Sequence, residues 1–167
     1  METRHITITA DDIRSGKTDA AGAVEPLTLG VSLGSFEGFI SDIAVFTAEQ
    51  TNVFALLAYL RLTAEGGHEK FFFEPEGMVW LSVVMGLRDM GEDELADSLL
   101  DIRDKFPACT VPYDLGSRIN AVCENGIEFS KEDALLESCR DELSKHIEDY
   151  VREYAEQFEF DGDIDIF

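Results

Sequence analysis

The 167-residue sequence has few basic residues. Lysine and arginine together number 13 against 35 aspartates and glutamates, so the formal net charge is −22 at pH 7. A chain of this charge repels phosphate groups, which argues against direct binding to nucleic acid or to anionic lipid. Cysteine is also scarce. The three cysteines are odd in number and lack metal-ligand spacing, so the sequence predicts neither a disulfide framework nor a zinc site.

Long apolar runs and catalytic motifs are missing as well. No apolar run approaches the roughly 20 residues of a membrane-spanning helix, and the opening Met-Glu-Thr-Arg-His has no signal-sequence character. We therefore expect a cytoplasmic protein with no membrane association. The Gly-Lys-Thr at 16–18 lacks the upstream glycine of a phosphate-binding loop. The Asp-x-Asp-x-Asp at 161–165 has Ile166 where a calcium loop needs glycine. The sequence thus predicts no metal, no cofactor and no catalytic residue.

Apolar residues, by contrast, are plentiful. They make up 45% of the chain and include 12 phenylalanines, enough for a sizeable core in one domain spanning residues 1–167. The periodicity of the apolar positions is helical over most of the chain. We therefore predict a compact all-α domain of several helices, with a small β piece formed from the two termini.

A central unit of three helices, residues 47–106, organises this prediction. Thr47 and the glutamine three positions later form a capping box that starts the first helix, and Gly66-Gly67 is expected to end it. The second helix, about 78–90, is apolar almost all round and is predicted to lie in the core, with Trp80 buried. The third, about 92–105, is amphipathic.

The regions outside this unit are read from weaker signals. Residues 1–34 are predicted to be a variable N-terminal arm, exposed or mobile between Asp11 and Glu25, with a short extended piece at Ile6 and Ile8. Short helices are predicted at 35–46 and 114–123.

Residues 130–158 predict one long helix, or two collinear helices that meet near Ser144, capped by Ser130 with Asp133 as the box-like acid. Its apolar face is expected to pack on the domain, and a homodimer contact along it is an alternative. Residues 158–167 form an acidic tail with period-two alternation, typical of an extended strand.

The stretch from Glu65 to Glu74 resembles a bacterial family of acidic α-helical domains, whose usual pattern is Asn-Gly-Gly-Phe-x-Gln-Phe-Phe-x-Asn. The chain matches that pattern at Gly66, Gly67, Phe71 and Phe72, and departs from it at Glu65, His68, Lys70 and Glu74. One branch of the family is a DNA-mimic protein. The resemblance therefore implies a helical fold, and a function in which the protein occupies the DNA-binding face of a basic partner such as a transcription regulator.

Three rows of acids are candidates for a surface that imitates phosphates. The 93–104 row comprises Asp93, Asp97, Asp101 and Asp104; the 142–156 row comprises Glu142, Asp149, Glu153 and Glu156; the tail row comprises Glu159, Asp161, Asp163 and Asp165. Acids four positions apart on a helix and alternate acids on a strand are both about 6 Å apart, and phosphates along DNA form a comparably regular line.

Each row also has a simpler explanation, which is a solvated face. The spacings Asp141/Lys145 and Glu148/Arg152 favour ordinary i, i+4 ion pairs on the long helix. For the whole protein, a DNA mimic is the leading hypothesis. The alternatives are an immunity-type or antitoxin-type protein that inhibits a toxin, and an enzyme of unknown type.

Overall fold

The computed structural model describes residues 2–166. They form nine α-helices and one two-stranded antiparallel sheet. The helices are α1 (Ala10–Arg14), α2 (Ala20–Ala23), α3 (Glu25–Gly30), α4 (Phe36–Asp42), α5 (Ala48–Phe72), α6 (Trp80–Asp89), α7 (Asp93–Lys105), α8 (Leu115–Asn125) and α9 (Ser130–Glu153); the strands are β1 (Glu2–Ile8) and β2 (Phe160–Ile166). Four short 3-10 turns join them: Ile43–Val45, Pro75–Val79, Pro107–Cys109 and Ala155–Phe158. The predicted helical fold with a small terminal sheet is confirmed. A membrane-crossing helix is not found between residues 2 and 166.

Helix α5 lies at the centre of the domain and contacts α2, α3, α6, α8 and α9. The predicted capping box is present at its start: Thr47 Oγ1 accepts from the Gln50 amide, and Gln50 Oε1 accepts from the Thr47 amide. The prediction that regular helix ends at Gly66-Gly67 is confirmed, and what the sequence did not predict is a second helical segment directly after them. The two glycines leave helical geometry, Gly67 with φ +68°, but helical structure resumes and runs to Phe72. They therefore bend the helix.

The bend carries the family-like motif into the core. Phe71 and Phe72 are fully buried, as their role of aromatic anchors requires, with ring centroids 5.2 Å apart. Phe72 also stacks on Phe129 at 5.7 Å, which ties the bend to the start of α9. Trp80 is buried, as predicted.

The prediction from the sequence was correct for helix α7 but only partly correct for helix α6. The prediction that α6 is buried on every side is wrong, because Leu81 and Met85 are 44% and 52% exposed. These two side chains lie one turn apart on its outer face, while Val83 and Leu87 face the core. Helix α7 has the predicted bounds and buries its apolar stripe.

The N-terminal arm prediction is also wrong. Residues 2–30 form β1 and helices α1 to α3, and Ile13, Ala23 and Leu27 are almost completely buried. The polar residues that suggested an arm are helix caps: Thr9 accepts from the Asp12 amide, and Asp19 accepts from the Gly22 amide. The small alanines let these short helices pack closely on α5 and α9.

Three further helices deviate in detail from prediction. Helix α4 follows the Ser35 cap, but of its apolar positions Phe39 is buried and Ile40 is exposed. Helix α8 begins after the Asp114 cap. At the start of α9 the predicted cap is wrong: Ser130 is already helical, and Phe129 occupies the cap position with no side-chain hydrogen bond.

The terminal strands pair in antiparallel register, with Glu2 opposite Ile166 and Ile8 opposite Phe160. Ile6, Ile8 and Ile164 lie on the buried face of this sheet. Asp161, Asp163 and Asp165 lie on the exposed face, as the period-two pattern predicted.

Candidate functional site

The chain uses most of its own cations internally. Ten of the lysine and arginine side chains form ion pairs with acids: Arg4, Arg14, Lys17, Arg61, Lys70, Arg88, Arg103, Lys105, Arg140 and Arg152. Arg118 bonds backbone carbonyls instead. Within residues 2–166, Lys131 and Lys145 are the cations without a hydrogen-bond or ion-pair partner. Few cations thus remain to compensate the exposed acids.

The 93–104 row is mostly paired. Arg88 bridges both Asp93, at 2.7 Å, and Asp97, because the short turn after α6 returns α7 alongside it. Asp104 pairs with Arg103 at 2.7 Å. In the part of the chain that is described, Asp101 alone of this row has no hydrogen-bond or ion-pair partner. Three of the four carboxylates in this row are therefore already paired with arginines of the chain.

The 142–156 row is paired more loosely. Glu142 lies 3.8 Å from His146, and Asp149 lies 3.8 Å from Arg152, both longer than an ordinary hydrogen bond. Glu156 pairs with Arg14 of α1. Glu153 has no partner among residues 2–166.

The i, i+4 pairs expected on α9 are not formed. Asp141 and Lys145 make no recorded contact within the described residues. The Glu148 carboxylate accepts from the Ala20 amide at 3.1 and 3.2 Å, and so holds α2 on α9 instead of pairing with Arg152.

The tail row faces β1. Asp165 accepts from Thr3 at 2.7 Å, Asp161 accepts from Thr7 at 3.0 Å, and His5 lies between Asp161 and Asp163. The hydrogen bond to Asp163 raises the pKa of His5. Glu159 accepts from the Ala10 amide at the start of α1. These carboxylates therefore hold the sheet and α1 together.

The acids that remain without partners are spread over most of the helices. Within residues 2–166 they are Glu2, Asp11, Glu37, Glu49, Glu69, Glu94, Asp101, Glu124, Glu128, Asp141 and Glu153. We call this set the unpaired acids. Only Asp101 and Glu153 belong to the predicted rows.

Acids from two helices, α6 and α9, converge near Tyr150, at the C-terminal end of α9. Asp89, Asp149 and Glu153 line one cavity of about 220 Å³ together with Tyr150 and its neighbour Tyr154. We call this cavity the tyrosine pocket. His146 and Met90 complete its walls.

The pocket has a measurable electrostatic signature. Burial raises the pKa of Tyr150 to about 12, and the negative charges of Asp89 and Glu49 act in the same direction. Burial disfavours a charge of either sign, whereas the nearby carboxylates favour a positive charge over a negative one.

A second cluster, at the opposite end of α9, is closed. His68 Nδ1 and the His68 amide both bond Asp133 Oδ1, at 2.6 and 2.8 Å, and His68 Nε2 accepts from the Tyr59 hydroxyl at 2.7 Å. His68 is fully buried, and this burial lowers its pKa. A Cβ at position 67 would lie 2.7 Å from Asp133 Oδ2, so the motif glycine leaves room for the carboxylate. The cluster is structural, because its polar atoms satisfy one another.

Arg118 is a further buried charge. Its guanidinium donates to the carbonyls of Phe72, Glu74, Pro112 and Tyr113 at 2.7 to 3.0 Å, joining the turn before α6 to the loop before α8. Burial lowers its pKa to about 10, so it stays protonated at pH 7.

Sequence reasoning missed both buried clusters and the tyrosine pocket. Tyr150 and Tyr154 fitted the apolar period of the long helix, yet Tyr154 is 43% exposed. A tyrosine pair one turn apart, flanked by acids at 149 and 153, was the available signal. Across residues 2–166, no three histidine, cysteine or carboxylate side chains are grouped to hold a metal ion.

Comparison with known proteins gives one match. A family model described as DMP19-like protein matches residues 45–154, from just before α5 to just after α9. The matched region contains the Gly66–Phe72 motif, the 93–104 row and the tyrosine pocket, but not the terminal sheet. No curated protein and no solved structure matches the chain.

Proposed function

The chain belongs to the DMP19-like protein family, and we propose that it is a non-catalytic binding protein that imitates the charge of DNA. It occupies the DNA-binding face of a basic partner, such as a transcription regulator, and so excludes DNA. The observation that carries this proposal is the surplus of surface acids left after the internal cations are paired. The net charge of −22 is therefore directed outwards.

Only some of the acids are suitable as phosphate equivalents under this proposal. The tail row and most of the 93–104 row already bind groups of this chain. The unpaired acids on α7 and α9 are better suited, since no internal contact has to break when a partner lysine or arginine approaches. They are Glu94, Asp101, Asp141 and Glu153.

Exposed charges act mainly on the rate of encounter. A single rim pair contributes little to affinity, whereas a charged surface steers association strongly at low ionic strength. Self-repulsion within a free acidic surface destabilises the isolated protein, and a basic partner relieves it. Binding should therefore be fast, salt-sensitive and tolerant of single substitutions.

The experiment begins with affinity capture at low salt and elution in a salt gradient, which identifies the partner. A variant with Glu94→Gln, Asp101→Asn, Asp141→Asn and Glu153→Gln is then compared with the wild type in stopped-flow association. We expect association to slow about tenfold or more at low salt, with a flatter salt dependence.

The matched control neutralises four unpaired acids on other elements: Glu2→Gln, Asp11→Asn, Glu37→Gln and Glu124→Gln. Its net charge changes equally, so an equal slowing would mean that only the total charge matters. The decisive readout is competition with DNA. If partner and DNA bind at the same time, mimicry is wrong and inhibition of a toxin-like partner becomes the better hypothesis.

A further inference from the structure

Tyr154 is the most exposed aromatic side chain among residues 2–166, at 43%, and Tyr113 follows at 39%. It is the C-cap residue of α9, between Glu153 and the Ala155–Phe158 turn. Tyr150, one helical turn earlier, is half-buried and packs edge-on against Phe158, with ring centroids 6.4 Å apart. Tyr150 therefore belongs to the fold, whereas the exposed part of Tyr154 has no structural partner that explains it.

The two tyrosine rings form one wall of the tyrosine pocket. Their centroids are 4.7 Å apart and their planes are inclined by 43°. The rings are in contact with each other, so no ligand group fits between them. A ligand would lie on the exposed part of Tyr154 and point its polar end into the cavity of about 220 Å³.

The lining of the pocket also includes three carboxylates. Glu153 has no partner within residues 2–166, and Asp149 is held only at 3.8 Å by Arg152. Asp89 accepts a single long hydrogen bond, 3.3 Å, from the Asn52 amide group. His146, the remaining polar wall, is engaged by Glu92. The pocket thus combines an exposed aromatic ring with three acids whose hydrogen-bonding capacity is largely unused.

We propose that the tyrosine pocket binds an arginine side chain of the basic partner, with the guanidinium over Tyr154 and its N–H groups directed at Glu153, Asp149 and Asp89. This inference rests on the proposed function and names its point of recognition. Arginine fits better than lysine for two reasons. Its planar guanidinium stacks on an aromatic face, and its several donors in a fixed fork can serve more than one carboxylate.

The test uses two probes with the full-length protein. One is acetyl-arginine amide, followed through the ring signals of ¹³C-labelled tyrosine by NMR; the other is a hexa-arginine peptide at low salt. We expect acetyl-arginine amide to shift Tyr154 and Tyr150 but not Tyr59 or Tyr113. Acetyl-lysine amide should bind more weakly.

The variants separate aromatic recognition from general charge. Tyr154→Leu should weaken acetyl-arginine amide about threefold to fivefold, the effect of an exposed cation–π contact, while Tyr154→Phe retains binding. Glu153→Gln should weaken it by a similar factor. Glu124→Gln changes the net charge equally but lies on α8 outside the pocket, and should leave binding unchanged.

The two hypotheses fail differently. Equal weakening by Glu124→Gln and Glu153→Gln, or equal affinity for the lysine and arginine probes, would overturn the arginine pocket and leave the proposed function in place. Failure of the hexa-arginine peptide to bind the wild type at low salt would overturn both.

Discussion

The two ends of α9 use the same types of side chain for opposite purposes. At the N-terminal end, Asp133, His68 and Tyr59 are joined in one continuous hydrogen-bonded chain, and the histidine and tyrosine are buried. At the C-terminal end, Glu153 and Tyr154 face solvent without such bonds among the described residues. The carboxylate at the first end is engaged within the fold, whereas the carboxylate at the second end remains available for the partner that we propose.

The difference follows from what packs on each end. The bend of α5 at Gly66-Gly67 brings His68 and its amide over Asp133, so the carboxylate is met by two donors from one residue. Among residues 2–166, no segment places hydrogen-bond donors over the Glu153 carboxylate at the last turn of α9. We therefore expect substitutions at the first end to change stability and substitutions at the second to change binding.

The largest effect is expected for Asp133→Ala. The change removes the carboxylate that accepts two hydrogen bonds from His68. Hydrogen bonds to charged groups contribute about 1.5–3 kcal/mol. The free energy of unfolding in urea should fall by about 2–3 kcal/mol. Asp149→Ala, at the other end of the same helix, is the matched control and should change it by less than about 0.5 kcal/mol. Similar losses for both would abolish the distinction between the two ends.

The second-largest effect on the free energy of unfolding is expected for Tyr59→Phe. It leaves the ring in place but removes the only donor to His68 Nε2, which stays buried and unsatisfied. We expect a loss of about 1–2 kcal/mol in the free energy of unfolding. Tyr154→Phe should be close to neutral in the same measurement. A neutral Tyr59→Phe would show that the buried hydroxyl is not needed to satisfy the histidine.

A smaller effect should appear as pH dependence. Burial lowers the pKa of His68 in the folded state, and its hydrogen bond to Asp133 opposes this less strongly. Below the unfolded pKa of about 6.5, the unfolded chain takes up a proton that the folded chain does not, so stability falls as pH decreases. Urea unfolding at pH 7.5 and 5.5 should show a larger acid-induced loss for the wild type than for His68→Phe. Parallel pH profiles would contradict the buried neutral histidine.

The smallest effect is expected at the open end. Asp149 and Glu153 are like charges one helical turn apart, a repulsion of about 0.2–0.5 kcal/mol. Glu153→Gln should therefore stabilise the protein slightly at low salt. The gain should disappear in about 1 M sodium chloride, where the Debye length is only about 3 Å. Stabilisation that persists at high salt would point to a cause other than charge.

Patterns that are local in sequence predicted the fold well. The capping box at Thr47, the stripe of α7 and the alternation in the tail each depend on residues a few positions apart, and each is present in the structure. The N-terminal region was predicted wrongly because its helices depend on tertiary contacts, which a local sequence pattern does not show. Helices as short as α1, α2 and α3 are unstable alone and gain their order by packing on α5 and α9.

The site was less predictable for the same reason. A row of acids on a helix can be seen in sequence, but its counter-ions come from other segments: Arg88 precedes α7 across a turn, and Arg14 reaches Glu156 from α1. His68 could not be placed either, since its partners lie 9 and 65 positions away.

The sheet joins opposite ends of the polypeptide, and this affects the order in which the protein forms. Thr7 bonds Asp161 across 154 positions of sequence, so β1 has no pairing partner until almost the whole chain is available. Synthesis proceeds from the N-terminus, and contacts of such separation form late. We therefore expect Ile6 and Ile8, which are buried in the folded protein, to remain exposed to solvent while the helices assemble. We expect Ile6→Val to accelerate unfolding and leave the refolding rate unchanged in stopped-flow measurements, because sheet closure follows the rate-limiting step.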